Sequence, residues 1–254
     1  SVHHVSGLIG IKQDLAAIAF PVKERFGIGM YVHYVDYGEF EGYSETGESI
    51  PSYHAKQMGL GVGGGIKLTG GLTLGASFRG NQQTLAEKTY ALFNADLGLL
   101  FATGDGWRLG VSYCNLGVNI EAEDAATACR AGISRQMKAG SDISVLAAVA
   151  STLEPKYGNR LLFGFEGSFK SNYFLRVGYR MNLQETGLSG IQGVTGGAGI
   201  AFKSTRLDYA FEPFADMGNV HRLSLVQSFG RVRESVSPVQ SQSAPSPVTV
   251  IQTV

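Results

Sequence analysis

Apolar and polar residues alternate with a period of two along most of this chain. Leu207, Tyr209 and Phe211 alternate with charged or small residues. The alternation resumes after a polar loop at Leu223 and Leu225. A β-strand sends successive side chains to opposite faces, so each segment has one apolar and one polar face. The pattern predicts an all-β chain of about fourteen strands and no amphipathic helix. The predicted strands are residues 2–12, 14–22, 26–36, 53–68, 72–80, 89–102, 107–116, 128–137, 142–152, 160–170, 172–182, 192–203, 205–212 and 220–229.

The predicted connections alternate between long and short from the third strand onward. Transmembrane barrels of the outer-membrane type have this alternation of long extracellular loops and short periplasmic turns. A soluble β-sandwich has alternating strands as well, but it has no reason to alternate its loop lengths so regularly. One connection, Gln13–Asp14, is short where the barrel scheme requires a long one. The transmembrane antiparallel barrel is the favoured interpretation, and a soluble all-β domain stays as the alternative. The long connections are 37–52, 81–88, 117–127, 153–159, 183–191 and 213–219, and the short ones are 69–71, 103–106, 138–141, 171 and 204.

The polar face of the predicted strands carries charged residues, which would line the lumen of a barrel in lipid. One interpretation is a network of ion pairs that braces neighbouring strands, particularly Arg206, Asp208 and Arg222 in the last hairpin. The other is a basic lumen that attracts anionic ligands such as a fatty carboxylate. We prefer the bracing interpretation. The lumen-facing candidates are Arg79, Asp96, Arg108, Arg130, Glu166, Arg176, Arg180, Arg206, Asp208 and Arg222, together with Lys170 and Glu212.

The composition and the placement of the reactive side chains argue against several classes of function. The 254 residues have a formal net charge of zero and only 17% charged residues, so no global field favours nucleic acid. Two cysteines are too few for a disulfide scaffold. The neighbours His3 and His4 point to opposite sides of a strand and cannot hold one metal ion from one face. His221 and Ser224 are also on opposite faces, so no nucleophile–base pair is predicted. We expect no enzyme, no cofactor and no metal site.

The segment LDYAFEPFADMGNVHRLSLVQSFG at 207–230 resembles the C-terminal end of the PorV/PorQ family, a FadL-like group of bacterial outer-membrane barrels. Weaker matching pieces are AFP at 19–21, YVDYG at 34–38, DLGLLF at 96–101, NLG at 115–117 and RVGYR at 176–180, which is followed by a glycine-rich stretch at 187–202. Family members usually carry a signal peptide and then a WNPAG-like motif in a luminal hatch. Nothing in this sequence matches that hatch segment.

The resemblance implies a FadL-like barrel at 1–229 in the bacterial outer membrane, in contact with membrane lipids. FadL-like members pass hydrophobic small molecules across that membrane, and this is the function we expect. PorV-type members instead serve the type IX secretion system, where they bind cargo signal domains or the translocon, and this stays as the alternative. The resemblance also implies that Phe229, at the end of the last strand, acts as an assembly signal. Residues 230–254 are rich in Ser, Pro and Gln and are predicted to form a flexible tail.

Overall fold

The computed structural model describes residues 1–44, 46–86, 88–120, 127–156, 158–184, 193–214 and 217–229. Fourteen antiparallel strands follow each other around a closed barrel, and β1 pairs with β14 to complete it. Closure gives every strand a hydrogen-bonded neighbour on both sides. The prediction of an antiparallel barrel of about fourteen strands is confirmed. The strands are β1 (Val2–Ser6), β2 (Lys12–Lys23), β3 (Phe26–Tyr43), β4 (Ser49–Lys67), β5 (Leu72–Leu85), β6 (Lys88–Ala102), β7 (Trp107–Ile120), β8 (Ala128–Ala139), β9 (Ile143–Leu153), β10 (Arg160–Phe169), β11 (Tyr173–Asn182), β12 (Val194–Phe202), β13 (Thr205–Pro213) and β14 (Asn219–Gln227).

The two ends of the barrel differ. The terminal rim holds the start of β1, the end of β14 and the short turns between β2 and β3 and between each later even–odd strand pair. One of these turns needs only Lys170 and Ser171 at its centre, both with positive φ (51° and 56°), which is the geometry of a tight hairpin. The opposite end, the loop rim, carries the remaining connections. The alternation of connections between the two rims agrees with the sequence prediction.

The predicted boundary between the first two strands is wrong. The chain leaves β1 at Ser6, passes through a 3₁₀ segment at Leu8–Gly10 and enters β2 at Lys12, so Gln13–Asp14 lies inside a strand. The residues of this turn, GLIGI at 7–11, are apolar or glycine, so the sequence pattern did not distinguish them from a strand. In the structure, Ile9 and Gly10 have positive φ (53° and 79°), which interrupts the strand. The true connection is longer than predicted and lies at the loop rim. It therefore removes the one departure from the barrel scheme.

The predicted loop 37–52 is mostly strand. β3 and β4 continue beyond their neighbours, because β2 pairs with β3 only as far as Lys12–Asp36 and β5 pairs with β4 only as far as Leu85–Ala55. Residues 37–54 therefore project from the loop rim as a two-stranded ribbon, of which Glu45 is not described. Register shifts follow Asp36 and Phe40. Each bulge adds one unpaired residue and so reverses which later positions face inward. A strict period of two therefore cannot be followed through this part of the sequence. The predicted loop 81–88 likewise shortens to the connection between Leu85 and Lys88.

The 3₁₀ segments Leu8–Gly10 and Thr69–Gly71 are short, and no helix in the described part of the chain is long and apolar enough to cross a membrane. Cys114 and Cys129 are both free. The predicted tail, residues 230–254, lies outside the described residues, as do most of the acidic residues of the loop-rim connections.

Candidate functional site

The outer face of the barrel is apolar and exposed. Leu175 is 72% exposed, Val177 56% and Phe165 56%, and apolar side chains repeat at alternate positions on most strands. The charged side chains of the same strands, such as Glu166 and Arg176, lie on the opposite face and are partly buried. An exposed apolar surface of this extent around a whole protein is typical of contact with lipid. We therefore treat the barrel as membrane-spanning and its interior as the candidate site.

Four charged side chains from β10, β11 and β13 form one network on the inner face. Arg176 donates from Nε to Glu166 Oε2 at 2.6 Å and from Nη1 to Asp208 Oδ1 at 2.7 Å. Arg206 donates from Nε to Asp208 Oδ2 at 2.9 Å, and its Nη2 lies 3.7 Å from Glu166 Oε2. The guanidinium of Arg206 also lies 4.0 Å from the ring centre of Phe174, a cation–π contact. Each arginine thus contacts both carboxylates, which fits the bracing role that we propose for them.

Glycines on β12 make this network possible. Arg176 and Asp208 are separated by β12, where Gly197 lies opposite Arg176 and Gly199 lies opposite Asp208. A Cβ atom at Gly199 would overlap the Asp208 carboxylate and lie 3.3 Å from Arg176 Nη1. The absence of a side chain on this strand leaves the space through which the arginine reaches the aspartate. In the described part of the glycine-rich stretch at 187–202, the glycines thus serve to leave room for the ion pair between Arg176 and Asp208.

We predict that Gly199→Ala weakens this network and lowers the free energy of unfolding by about 1 kcal/mol, the size of a typical hydrogen-bond loss. Urea unfolding in lipid vesicles, followed by fluorescence of the single tryptophan, would measure it. Gly196→Ala is the matched control, because it lies on the same strand and a Cβ there meets nothing within 4 Å. Equal stability of the two variants would contradict the prediction.

A second inner-face network lies across the barrel on β5, β6 and β7. The register shifts at Asp96, and Asn115 adopts a positive φ of 63°. Asp96 Oδ1 accepts the backbone N–H of Asn115 at 2.8 Å, and Asp96 Oδ2 accepts the hydroxyl of Ser77 at 3.1 Å. Arg79 lies 3.4 Å from Asp96 Oδ1 and donates to the Asn115 side chain. The aspartate thereby holds the irregular part of β7 in place.

Two further ion pairs lie towards the loop rim. Arg180 pairs with Glu212, and its guanidinium lies 4.8 Å from the ring centre of Phe214. Arg160 pairs with Glu154, whose side chain is only 3% exposed. Sequence reasoning missed this second pair because Glu154 follows the end of β9 and has the sequence context of an ordinary solvated loop. No periodic signal could have found it.

The other predicted lumen residues have a different environment. Within the described residues, Arg108, Arg130 and Arg222 have no carboxylate within ion-pair distance. Asp208 therefore contacts Arg176 and Arg206, and not Arg222 as the sequence suggested. Lys170 lies in an exposed turn at the terminal rim with its Nζ 5.2 Å from the Phe169 ring centre, so its predicted place on a strand was wrong.

The seam between β1 and β14 contains an inner contact that the sequence did not predict. His3 Nδ1 lies 2.8 Å from Ser224 Oγ, its direct partner in the ladder. Sequence reasoning considered only His221 for Ser224, and His221 instead contacts the Tyr209 hydroxyl at 2.8 Å on the outer face. Strand pairing between the two chain ends cannot be read from local spacing. No group of three or more potential metal ligands occurs in the described part of the chain.

The loop rim has an apolar mouth. Phe40 and Tyr53 stack on the ribbon with ring centres 5.5 Å apart. Their side is the lumen side, because the register pairs Gly38 with the buried Ala55 and Phe40 with Tyr53 two residues further along each strand. Val5, Leu8 and Val220 form a buried cluster at the same rim, with Phe214 packed against it.

At the ribbon tip, a hydrogen bond of 2.8 Å to the Glu41 carboxylate raises the pKa of Tyr43.

Solved structures of two toluene transporters and of a FadL homologue are similar to this chain in fold. The toluene transporter TbuX of Ralstonia pickettii has a TM-score of 0.59 and 13% identity, with 90% of this chain and 88% of that chain covered. The toluene transporter TodX of P. putida has a TM-score of 0.55 and 12% identity, with 91% and 88% covered. A Pseudomonas aeruginosa FadL homologue has a TM-score of 0.49 and 11% identity, with 87% and 78% covered. At these identities the similarity shows the fold.

No family model and no curated protein matches the sequence. The closed antiparallel barrel predicted from the sequence agrees with the fold shared with the two toluene transporters. A FadL-like relationship and membership of the PorV/PorQ group stay predictions. The type IX secretion partners that this group would bring have no support from the neighbours, whose names describe transport.

Proposed function

We propose that this protein is a non-enzymatic channel of the bacterial outer membrane that admits hydrophobic small molecules. The observation that carries the proposal is the closed fourteen-strand barrel, shared over most of its length with two toluene transporters. The apolar outer face places the barrel in a membrane. We infer outer-membrane localisation from the same fold, since bacterial barrels of this type span that membrane.

The mouth at the loop rim supports this class of substrate. A hydrophobic molecule arriving from outside would first meet the stacked rings of Phe40 and Tyr53, which are 40% and 36% exposed. Transfer of an apolar solute from water onto such a surface is favourable by roughly 25 cal/mol per Å² of apolar surface buried. The two stacked rings are thus suited to first contact with an apolar solute, while the ion pairs on the inner face of the barrel brace neighbouring strands.

The test is uptake of radiolabelled toluene by a Gram-negative host that lacks its own hydrophobic-compound channels. We predict faster uptake with this protein than with an empty vector. The double variant Phe40→Ser and Tyr53→Ser should reduce the gain about three- to tenfold, because about 1 kcal/mol of apolar contact is lost for a small solute. Tyr43→Ser, on the same ribbon but outside the stacked pair, is the matched control.

Uptake equal to the empty vector, with the folded barrel present in the outer membrane, would overturn the proposed function. Copurification of a large translocon or of cargo signal domains would instead support the type IX secretion alternative. Unchanged uptake in the double variant would leave the channel function in place and remove the role of the mouth.

The assembly role of Phe229 is a separate proposal. Phe229 follows the end of β14 at the terminal rim and is 86% exposed, so its ring contributes little to packing within the barrel. We predict that Phe229→Ala slows insertion in cells about fivefold or more without lowering the stability of the refolded protein, because exposed side chains contribute little to stability. Pulse-chase conversion to the heat-modifiable folded form measures the rate. Deletion of residues 231–254 is the control and should change neither quantity, and normal assembly of Phe229→Ala would contradict the proposal.

A further inference from the structure

The apolar belt on the outer face is shorter at the strands that close the barrel than on β11. On β11, every outward residue from Tyr173 to Met181 is apolar or aromatic and at least 40% exposed. On β14, the outward residues Leu225 and Leu223 are followed by His221 and then Asn219. The apolar stretch of β14 thus stops well below the level that it reaches on β11.

The same change occurs on the two strands next to β14. The outward residues of β1 are Val2, His4 and Ser6, and those at the loop-rim end of β2 are Asp14 and Lys12. The ladder places His221 opposite Ser6 and Ser6 opposite Lys12, and it places His4 opposite Asp14. Directly opposite residues share one face of a sheet. These five residues therefore form one continuous surface, which we call the seam patch: His4, Ser6, Lys12, Asp14 and His221.

The seam patch is polar and open to its surroundings. The side chains of His4 and Asp14 are 51% and 59% exposed, and His4 Nδ1 lies 2.7 Å from Asp14 Oδ1. His221 Nδ1 lies 2.8 Å from the Tyr209 hydroxyl. Neither contact turns these groups away from the outer face. Lys12 adds a positive charge to the same row as His221.

Position along the strands shows how far the belt is reduced. His221 lies six residues from Gln227, and Tyr179 lies six residues from Tyr173, so both are equally far from the terminal rim. Hydrocarbon that covers Tyr179 and Met181 would also cover His221 if the bilayer had one thickness around the barrel. A lysine on the lipid face costs roughly 2–4 kcal/mol at the midplane of the bilayer but only about 0–1 kcal/mol near the interface, so Lys12 favours a position close to the headgroups. Thinning of the bilayer costs only fractions of a kcal/mol per Å of mismatch.

We propose that the bilayer is locally thinned beside β14, β1 and β2, and that the seam patch contacts polar lipid headgroups and their water. The proposal rests on membrane insertion alone and is independent of which molecules the channel admits. The opposite charges of Lys12 and Asp14 suit zwitterionic headgroups, which carry both signs, and the two histidines add polar ring nitrogens. A consequence concerns assembly: a thinner apolar layer at the seam reduces the hydrocarbon that surrounds the unpaired edges of β1 and β14 before closure.

The test compares two matched fluorescent labels. His221→Cys and Tyr179→Cys are placed separately in a Cys114→Ala and Cys129→Ala background, labelled with an environment-sensitive dye and reconstituted in phosphatidylcholine vesicles. Aqueous iodide should quench the label at 221 at least about threefold more strongly than the label at 179, since ions are excluded from hydrocarbon. Lipids brominated in their acyl chains should show the opposite preference. Heat-modifiable migration confirms that each variant is folded, and Ser6→Cys, from the same row, replaces His221→Cys if that variant fails to fold.

Equal quenching of the two labels by brominated chains would overturn the proposal, because the belt would then have one height. Protection of the label at 221 from both quenchers would also overturn it, since that result means that protein, such as a second copy of the chain, covers the seam patch.

Discussion

Asp208→Leu is expected to lower the free energy of unfolding by about 2–3 kcal/mol, which is below the ~3–5 kcal/mol typical of breaking a fully buried ion pair. The reason is that Asp208 accepts hydrogen bonds from both Arg176 and Arg206. Its removal leaves Glu166 as the one remaining acid between two arginines. The arginine side chains are 28% and 14% exposed, so partial solvation reduces the penalty. Urea unfolding in lipid vesicles measures the change.

Two variants separate this effect from a general loss of charge. Asp208→Asn keeps the size and one acceptor oxygen but removes the charge, so an intermediate loss is expected. Arg222→Leu changes a charged residue on the adjacent strand that has no carboxylate partner among the described residues, and its effect should stay within about 1 kcal/mol, as for sites without a specific interaction. A loss in Arg222→Leu as large as that in Asp208→Leu would show that the pairing of charges is unimportant here.

The alternation of side chains was sufficient to predict the barrel because lipid outside and charge inside impose a period of two on nearly every strand. It failed where the backbone leaves that period. The ribbon at 37–54 contains two register shifts, so its residues had the sequence context of a loop. At Gly7–Ile11 the turn residues are themselves apolar, and alternation alone could not separate turn from strand. Strand ends are therefore less predictable than strand faces.

For the candidate site, the face of each residue followed from the sequence, but its partner did not. Asp208 reaches Arg176 across β12, a contact that depends on the register of three strands and on the open space above Gly197 and Gly199. The sequence favoured Arg222 because it lies in the same hairpin as Asp208. Ion-pair partners on different strands are determined by the register of all the strands between them. The spacing of residues within one hairpin gives no information about that register.

The terminal rim is where a single methyl group should have the largest effect. Gly71 has a φ of +83°, and a Cβ atom there would overlap the backbone carbonyl oxygen of Ala102 at the end of β6. A side chain could rotate away from such an overlap, but a backbone oxygen next to the ladder pair of Leu72 and Phe101 cannot move without disturbing the sheet. We predict that Gly71→Ala lowers the free energy of unfolding by roughly 3–4 kcal/mol, through the strain of a left-handed backbone and through displaced packing.

The neighbouring glycine provides the control that separates these two causes. Gly70 has a φ of +72°, and a Cβ atom there meets nothing within 4 Å. Gly70→Ala therefore introduces only the backbone strain, which we expect to cost about 1–2 kcal/mol. The two variants differ by one position in the same turn, so urea midpoints in the same vesicles compare them directly. If Gly71→Ala is no less stable than Gly70→Ala, the turn does not pack against β6 as described. A difference of about 2 kcal/mol between them would instead measure the cost of separating that turn from Ala102, apart from the strain that both variants share.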